Sequence, residues 1–254
     1  MSGTTPPGVK GEQQTAQWVR EMFGQVAPRY DLLNHLLSFN IDRLWRARTV
    51  KRVRPVLERQ GTRVLDLCCG TGDLALALQR ATTGRVLGSD FCHPMLTAAQ
   101  RKGLANALFE ADALSLPVAD ASLDLVTVAF GFRNFANYEK GLLELRRVLR
   151  AGGMAAILEF SQPPNAAFAA LYGFYSRNIL PKLGGALSGS KDAYSYLPES
   201  VRKFPGAEEL ADKMRAAGFA DVQFERMTFG VVALHLGRVL NSSGNPTPVR
   251  RRGA

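Results

Sequence analysis

The chain has 254 residues, 46% of them apolar, with 32 Lys and Arg against 22 Asp and Glu and only three Cys. That composition suits one soluble α/β domain and excludes a collagen-like, disordered or disulfide-built chain, while the lack of any apolar run of about 18 residues excludes a spanning helix. The formal charge of +10 predicts attraction to an anionic partner such as an acidic lipid surface or nucleic acid, unless the basic runs are solvated helix faces.

Residues 1–16 are polar, with Gly and Pro, and are expected to be disordered. Val19, Met22, Phe23 and Val26, then Leu32, Leu33, Leu36 and Leu37, recur at helical spacing around a break near Pro28, which predicts a helical cap over 17–60. Val64-Leu65-Asp66-Leu67-Cys68-Cys69 then reads as an apolar strand entering the turn Gly70-Thr71-Gly72-Asp73. Gly88-Ser89-Asp90 ends a second strand about 20 residues later, the spacing of an adenosine-binding βαβ unit.

A dinucleotide turn carries a third glycine, but this chain has Ala75 there, and Asp73 puts negative charge where a pyrophosphate would lie. The turn therefore favours a phosphate-free nucleoside with a cationic end, S-adenosyl-L-methionine. Asp90, an acceptor-only carboxylate, fits its ribose hydroxyls. Asp112 with the small Ala113 beside it, after the third strand, fits the adenine edge. The plainer alternatives are a glycine turn common to α/β proteins and a solvated loop acid.

Strands near 63–68, 85–90, 106–111, 124–130 and 153–160 alternate with helices near 72–81, 94–103 and 137–149, the last stopped by Ala151-Gly152-Gly153. This alternation predicts a mostly parallel sheet with helices on both faces and a ligand at the carboxyl ends of its strands. Residues 165–190, with Phe168, Leu171, Tyr172, Phe174, Tyr175, Ile179, Leu180 and Leu183, form an aromatic, helix-like insertion that either covers an apolar substrate or packs as an ordinary cap. A helix at 207–217 and strands near 221–228 and 231–239 close the sheet, and the basic tail 241–254 is expected to be disordered. Cys68 and Cys69 are neighbours that point to opposite strand faces, so no metal site is expected with Cys92 and His93. Three cysteines without a leader segment suggest a reduced, cytoplasmic setting.

Several motifs in order resemble the family of C-methyltransferases of menaquinone and ubiquinone biosynthesis. They are Tyr30-Asp31-Leu32-Leu33-Asn34 with Leu44-Trp45-Arg46, the run 66–73, Phe130-Gly131-Phe132-Arg133-Asn134, and Arg147-Val148-Leu149-Arg150-Ala151-Gly152-Gly153 leading to Leu158-Glu159-Phe160. Two departures stand out: Asn40-Ile41-Asp42 where the family has Gly-x-His, and Ala151 where it has Pro. The resemblance covers 18–240. It implies a class I S-adenosylmethionine-dependent methyltransferase fold: a seven-stranded, mostly parallel sheet in a single domain over 17–240, with 161–205 as the substrate-covering insertion. It implies cofactor contacts at Thr71, Asp90, Asp112 and Ala113, to which Asp66, Gly70 and Gly72 of the turn are added as candidates.

The implied substrate is a polyprenylated quinol, 2-demethylmenaquinol first and the methoxybenzoquinol of ubiquinone synthesis second, with peripheral contact to the membrane. A methyl electrophile needs an electron-rich ring, so the acceptor is expected to be the reduced quinol. Arg133 is assigned to hold the developing phenolate, since a guanidinium is too weak a base to take its proton. Asn134 is assigned to orient the ring oxygen or a water, and Tyr30 to close over the ring. Nucleic-acid methyltransferases of exocyclic amines resemble one another in an Asn/Asp-Pro-Pro-aromatic run after the fourth strand, which this chain lacks, so no nucleic-acid partner is expected. A noncatalytic cofactor-binding module is a further alternative, and the sequence leaves a homodimer open.

Overall fold

The computed structural model describes residues 3–6, 8–104, 107–179 and 191–240. Seven strands form one sheet: β1 (Arg63–Leu67), β2 (Arg85–Asp90), β3 (Leu108–Glu110), β4 (Leu123–Ala129), β5 (Leu149–Phe160), β6 (Ala220–Met227) and β7 (Val232–Arg238). Their order is β3-β2-β1-β4-β5-β7-β6. The first five run parallel, and β7 lies antiparallel between β5 and β6. The chain reverses its direction of travel across the sheet between β1 and β4, which opens a crevice at their carboxyl ends.

Alternation along the central strands builds a core on each face. Leu65, Leu67, Val126, Val128 and Ile157 pack on one side with α6 (Tyr138–Val148) and the helix Ala207–Ala216. Val64, Leu125, Ala156 and Leu158 pack on the other with α3 (Ile41–Leu57) and α4 (Asp73–Gln79). Between these lie α1 (Glu12–Val26), α2 (Tyr30–Leu37), α5 (His93–Ala99), α7 (Ala166–Phe174) and α8 (Lys191–Lys203), so the helix at Ala207–Ala216 is α9. α1, α2 and α3 form the expected cap, broken at Ala27–Arg29 where Pro28 starts a short 3-10 turn.

Three boundaries differ from expectation. The first helix starts at Glu12 and the Gly3 amide bonds the Ala136 carbonyl, while Thr4 is buried on the Tyr138 hydroxyl; much of 1–16 is therefore built into the fold. Thr15, which reads as part of a polar run, is buried on α1. The Ala151-Gly152-Gly153 run does not end α6 but lies inside β5, as an irregularity that shifts its register against β4. Gly152 takes φ +73°, so the glycines make a bulge in the strand. The helix expected over 94–103 ends as a regular α-helix at Ala99 and finishes as a π turn, Gln100–Leu104, around Gly103 at φ +110°. Leu180 and Leu183 of the aromatic insertion, and the tail 241–254, lie outside the described residues.

Candidate active site

Two cavities meet above the carboxyl ends of β1 and β4. The smaller holds the glycine turn and the strand-end acids: Gly70, Asp90, Asp112, Ala113, Gly131 and Asn134 all line it. The larger, of about 340 Å³, is apolar and aromatic, with Arg133 among its lining residues. Phe23, Tyr30 and Phe130 line both, so these three side chains form the shared wall.

Each wall of the smaller cavity has a local cause. Asp90 ends β2 with its carboxylate buried, accepting the Gly70 and Cys92 amides at 2.9 Å each. Burial pushes its pKa up, although those amides favour the ionised form. Asp112 is more open and turns its own loop by accepting the Leu114 amide at 2.9 Å, with Ala113 buried beside it. Gly131 must lack a side chain, because a Cβ there would lie 2.5 Å from Cys68 Cβ. Among the described residues Asn134 Oδ1 is buried without a partner. The acids and this free acceptor suit a ligand rich in hydroxyl and amino donors and carrying positive charge, as an adenosyl sulfonium does.

The remaining turn residues face elsewhere. Asp66 lies under the turn, where its Oδ1 accepts the Thr127 hydroxyl at 2.6 Å, and burial pushes its pKa up to about 7. Gly72 starts α4 at φ +86°, and a Cβ would strike Leu104 at 2.4 Å, so this glycine serves close packing on the neighbouring helical turn. Thr71 donates to Asp31 Oδ1 at 2.5 Å and accepts from Lys102 Nζ at 3.0 Å. Asp73 is also paired with Lys102, at 2.7 Å. That one cation is shared with Asp31, so it offsets only part of the negative charge at the turn.

Lys102 thereby ties the turn to the cap, since it also pairs with Asp31 of α2 at 2.5 Å. Next to it, Asp42 is buried and accepts from Ser38, His35 and Arg46, and hydrogen bonds and the Arg46 charge outweigh its burial to hold its pKa low. The acid at the position where the family carries histidine thus anchors α2 to α3. His35, seven residues earlier on α2, bonds it through Nδ1 at 2.8 Å.

Arg133 lies just past β4 in a short 3-10 turn, Phe132–Asn134, and its side chain is buried in the larger cavity's floor. Nη1 donates to Glu159 Oε1 at 3.0 Å and to the Phe130 carbonyl at 2.5 Å, and Nε donates to Ser200 at 3.2 Å. Burial opposes the guanidinium charge, but the charge and hydrogen bond of Glu159, 1% exposed at the end of β5, together with Tyr30 and Tyr196, outweigh it and raise the pKa. Glu159 was missed as a site residue, although an acid between Leu158 and Phe160 in an apolar strand was a readable signal. Phe160 stacks its ring 5.4 Å from the guanidinium, and Trp45 and Phe130 continue the aromatic lining. Tyr30 opens α2 at the wall between the cavities, its phenol raised in pKa by burial against the pull of Arg133. Asn134 lines the smaller cavity and not the aromatic one.

This crossed-over sheet with a glycine turn and strand-end acids defines a Rossmann-like methyltransferase. Residues 9–239 match the model of the ubiE/COQ5 methyltransferase family, and the chain belongs to that family. It is 54% identical over 221 residues to a demethylmenaquinone methyltransferase of Thermus thermophilus, covering 85% of this chain and 99% of the relative. To the enzyme of the same name from Deinococcus radiodurans it is 45% identical, covering 93% and 99%. Among solved structures it resembles a SAM-dependent methyltransferase from Thermotoga maritima, with a TM-score of 0.60, 19% identity and coverage of 86% and 98%. One from Aquifex aeolicus gives 0.54 at 18% identity, covering 75% of this chain and 89% of that one. These last two speak for the fold alone.

Proposed function

We propose that this methyltransferase moves a methyl group from S-adenosyl-L-methionine to the ring carbon of 2-demethylmenaquinol, the last step to menaquinol. The observation that carries the reading is the shared wall of Phe23, Tyr30 and Phe130 between an acid-lined cavity and an aromatic one. The relatives' names supply the naphthoquinol in preference to the benzoquinol.

The cofactor, when bound, supplies an electrophilic methyl group. Asp90 would accept from its ribose, Asp112 and Ala113 would hold its adenine, and Asn134 Oδ1 would accept a hydrogen bond from an amino group. The wall residues limit how far apart the two reactants lie, and near-attack separations of about 3–3.5 Å are what such positioning must deliver. In the aromatic cavity Arg133 is held cationic by Glu159, and it stabilises the phenolate as the quinol hydroxyl gives up its proton. Only the reduced ring can carry that negative charge, so the quinone is not a substrate. Tyr30 excludes water from the shared wall and offers a phenol to the ring.

The lipid tail implies a membrane neighbour. Phe39 lines the larger cavity while 73% exposed, and Leu171 and Phe174 stand exposed on α7 beside the lining residues Phe168 and Tyr172. An apolar rim of this kind suits peripheral insertion among lipids, with the +10 charge favouring an acidic surface. Among the described residues no helix is long and apolar enough to cross a membrane. The test is incubation of purified protein with methyl-labelled cofactor and each of the two quinols. Label in the naphthoquinol supports the reading; label in neither removes it.

A further inference from the structure

Tyr196 stands on α8 with its ring packed against Trp18 of α1, centroids 4.9 Å apart. The side chain is buried and lines the larger cavity, and among the described residues its hydroxyl has no hydrogen-bond partner. A buried phenol oxygen left alone has given up its hydrogen bonds to water without replacement, so such groups in a native site normally have an occupant to meet. Nothing in the reading above uses this hydroxyl.

Its neighbours indicate what that occupant is. Ser200, one helical turn on, accepts from Arg133 Nε at 3.2 Å, so the face of α8 that bears Tyr196 also contacts the arginine. Arg133 commits Nε to Ser200 and Nη1 to Glu159 and Phe130, and among the described residues no hydrogen bond occupies Nη2. Two donors without partners, one cationic and one neutral, therefore border one apolar cavity. That pairing fits a single oxygen that gains negative charge.

We propose that the Tyr196 hydroxyl and Arg133 Nη2 together hold the ring oxygen of the quinol that becomes the phenolate, which makes Tyr196 a catalytic residue of the reaction proposed above. The step balances with one proton released overall: the quinol O–H bond breaks and its proton passes to water, and the electron pair left on oxygen feeds the ring carbon. That carbon bonds the methyl as the cofactor's S–CH3 bond breaks with its pair kept on sulfur. The ring carbon then loses its own proton and the oxygen regains one, which restores the aromatic quinol. Tyr196 keeps its own proton throughout and only donates a hydrogen bond. Burial pushes its pKa up to about 12 against the pull of Arg133, so it is protonated at neutral pH. The hydrogen bond strengthens as charge builds on the oxygen, so its effect belongs to kcat and not to KM.

The test is Tyr196→Phe, which keeps the ring on Trp18 and removes one oxygen. Methyl transfer to demethylmenaquinol is measured with its kcat and KM, alongside cofactor affinity by calorimetry and the melting temperature. The expected result is a fall in kcat of about 10²-fold, the usual loss for one oxyanion donor, with KM and cofactor affinity within about threefold. The melting temperature is expected to stay level or rise, because the variant deletes a hydroxyl without a partner in the free protein. A kcat within about threefold of wild type overturns the proposal, and so does a loss of kcat accompanied by a lowered melting temperature, which marks a packing role. A wild-type protein that methylates neither quinol overturns the quinol reading and this proposal with it. An active wild type with an equally active variant overturns this proposal alone.

Discussion

Glu159 holds Arg133 from two sides: Oε2 accepts the arginine's backbone amide at 3.1 Å and Oε1 accepts Nη1 at 3.0 Å. The carboxylate at the end of β5 thus fixes both where the turn after β4 starts and where the guanidinium points. Removing either charge leaves the other buried alone, which costs about 3–5 kcal/mol. Arg133→Ala and Glu159→Ala are each expected to lose stability of that order in urea titrations. The double variant Arg133→Met with Glu159→Gln is expected to regain most of it while turnover stays lost. Turnover that survives in the double variant removes the arginine from catalysis.

Asp90 is expected to contribute a charged hydrogen bond to the cofactor. Asp90→Ala weakens its affinity by about 1.5–3 kcal/mol in calorimetry while leaving the quinol cavity intact. Burial raises the pKa of Asp90, and binding needs the ionised form. Affinity in the wild type is therefore expected to begin falling, as pH is lowered, at a higher pH than an ordinary carboxylate near 3.9 would impose.

Asp66 gives a stability prediction with a definite sign. Its pKa is raised to about 7 in the fold from an ordinary 3.8, so the proton is bound more tightly by the native state. That contribution is fully present below pH 3.8 and is lost as pH rises through about 7. Asp66→Asn keeps an acceptor for the Thr127 hydroxyl and has no charge to bury. Its stability relative to wild type is expected to improve between pH 4.5 and pH 8, as measured by urea unfolding at both. A difference that does not change with pH contradicts the buried-acid assignment.

The apolar rim predicts a substrate-dependent phenotype. Phe39→Glu together with Phe174→Glu is expected to weaken binding to vesicles containing acidic lipid and to slow methylation of a long-tailed quinol. Methylation of a water-soluble, short-tailed quinol should be nearly unchanged. Equal losses on both substrates place the defect inside the cavity instead of at its rim.

The strand-helix alternation and the cofactor acids were legible because they are local: Asp90 and Asp112 each end or follow a strand whose hydrophobic run is plain in the sequence. The role of Asp73 was not legible, because its partner Lys102 is 29 residues away and is brought there by the π turn around Gly103. The partners of Arg133 in the second cavity escaped for the same reason. The cavity floor joins Arg133 to Glu159 and Ser200, separated by 26 and 67 residues, and only the pairing of β4 with β5 and the return of α8 bring them together. Polar segments also misled: Thr4 and Thr15 are buried because their hydroxyls find the Tyr138 phenol and the Gly11 carbonyl.

The most direct measurement follows label from the methyl group of S-adenosylmethionine into demethylmenaquinol kept reduced, and into the same compound kept oxidised, with purified protein. Incorporation into the reduced ring alone, saturable in cofactor and lost in Arg133→Met with Glu159→Gln, is the expected result. Equal incorporation into the oxidised ring, or none into either form, contradicts a site built to stabilise a phenolate beside the cofactor cavity.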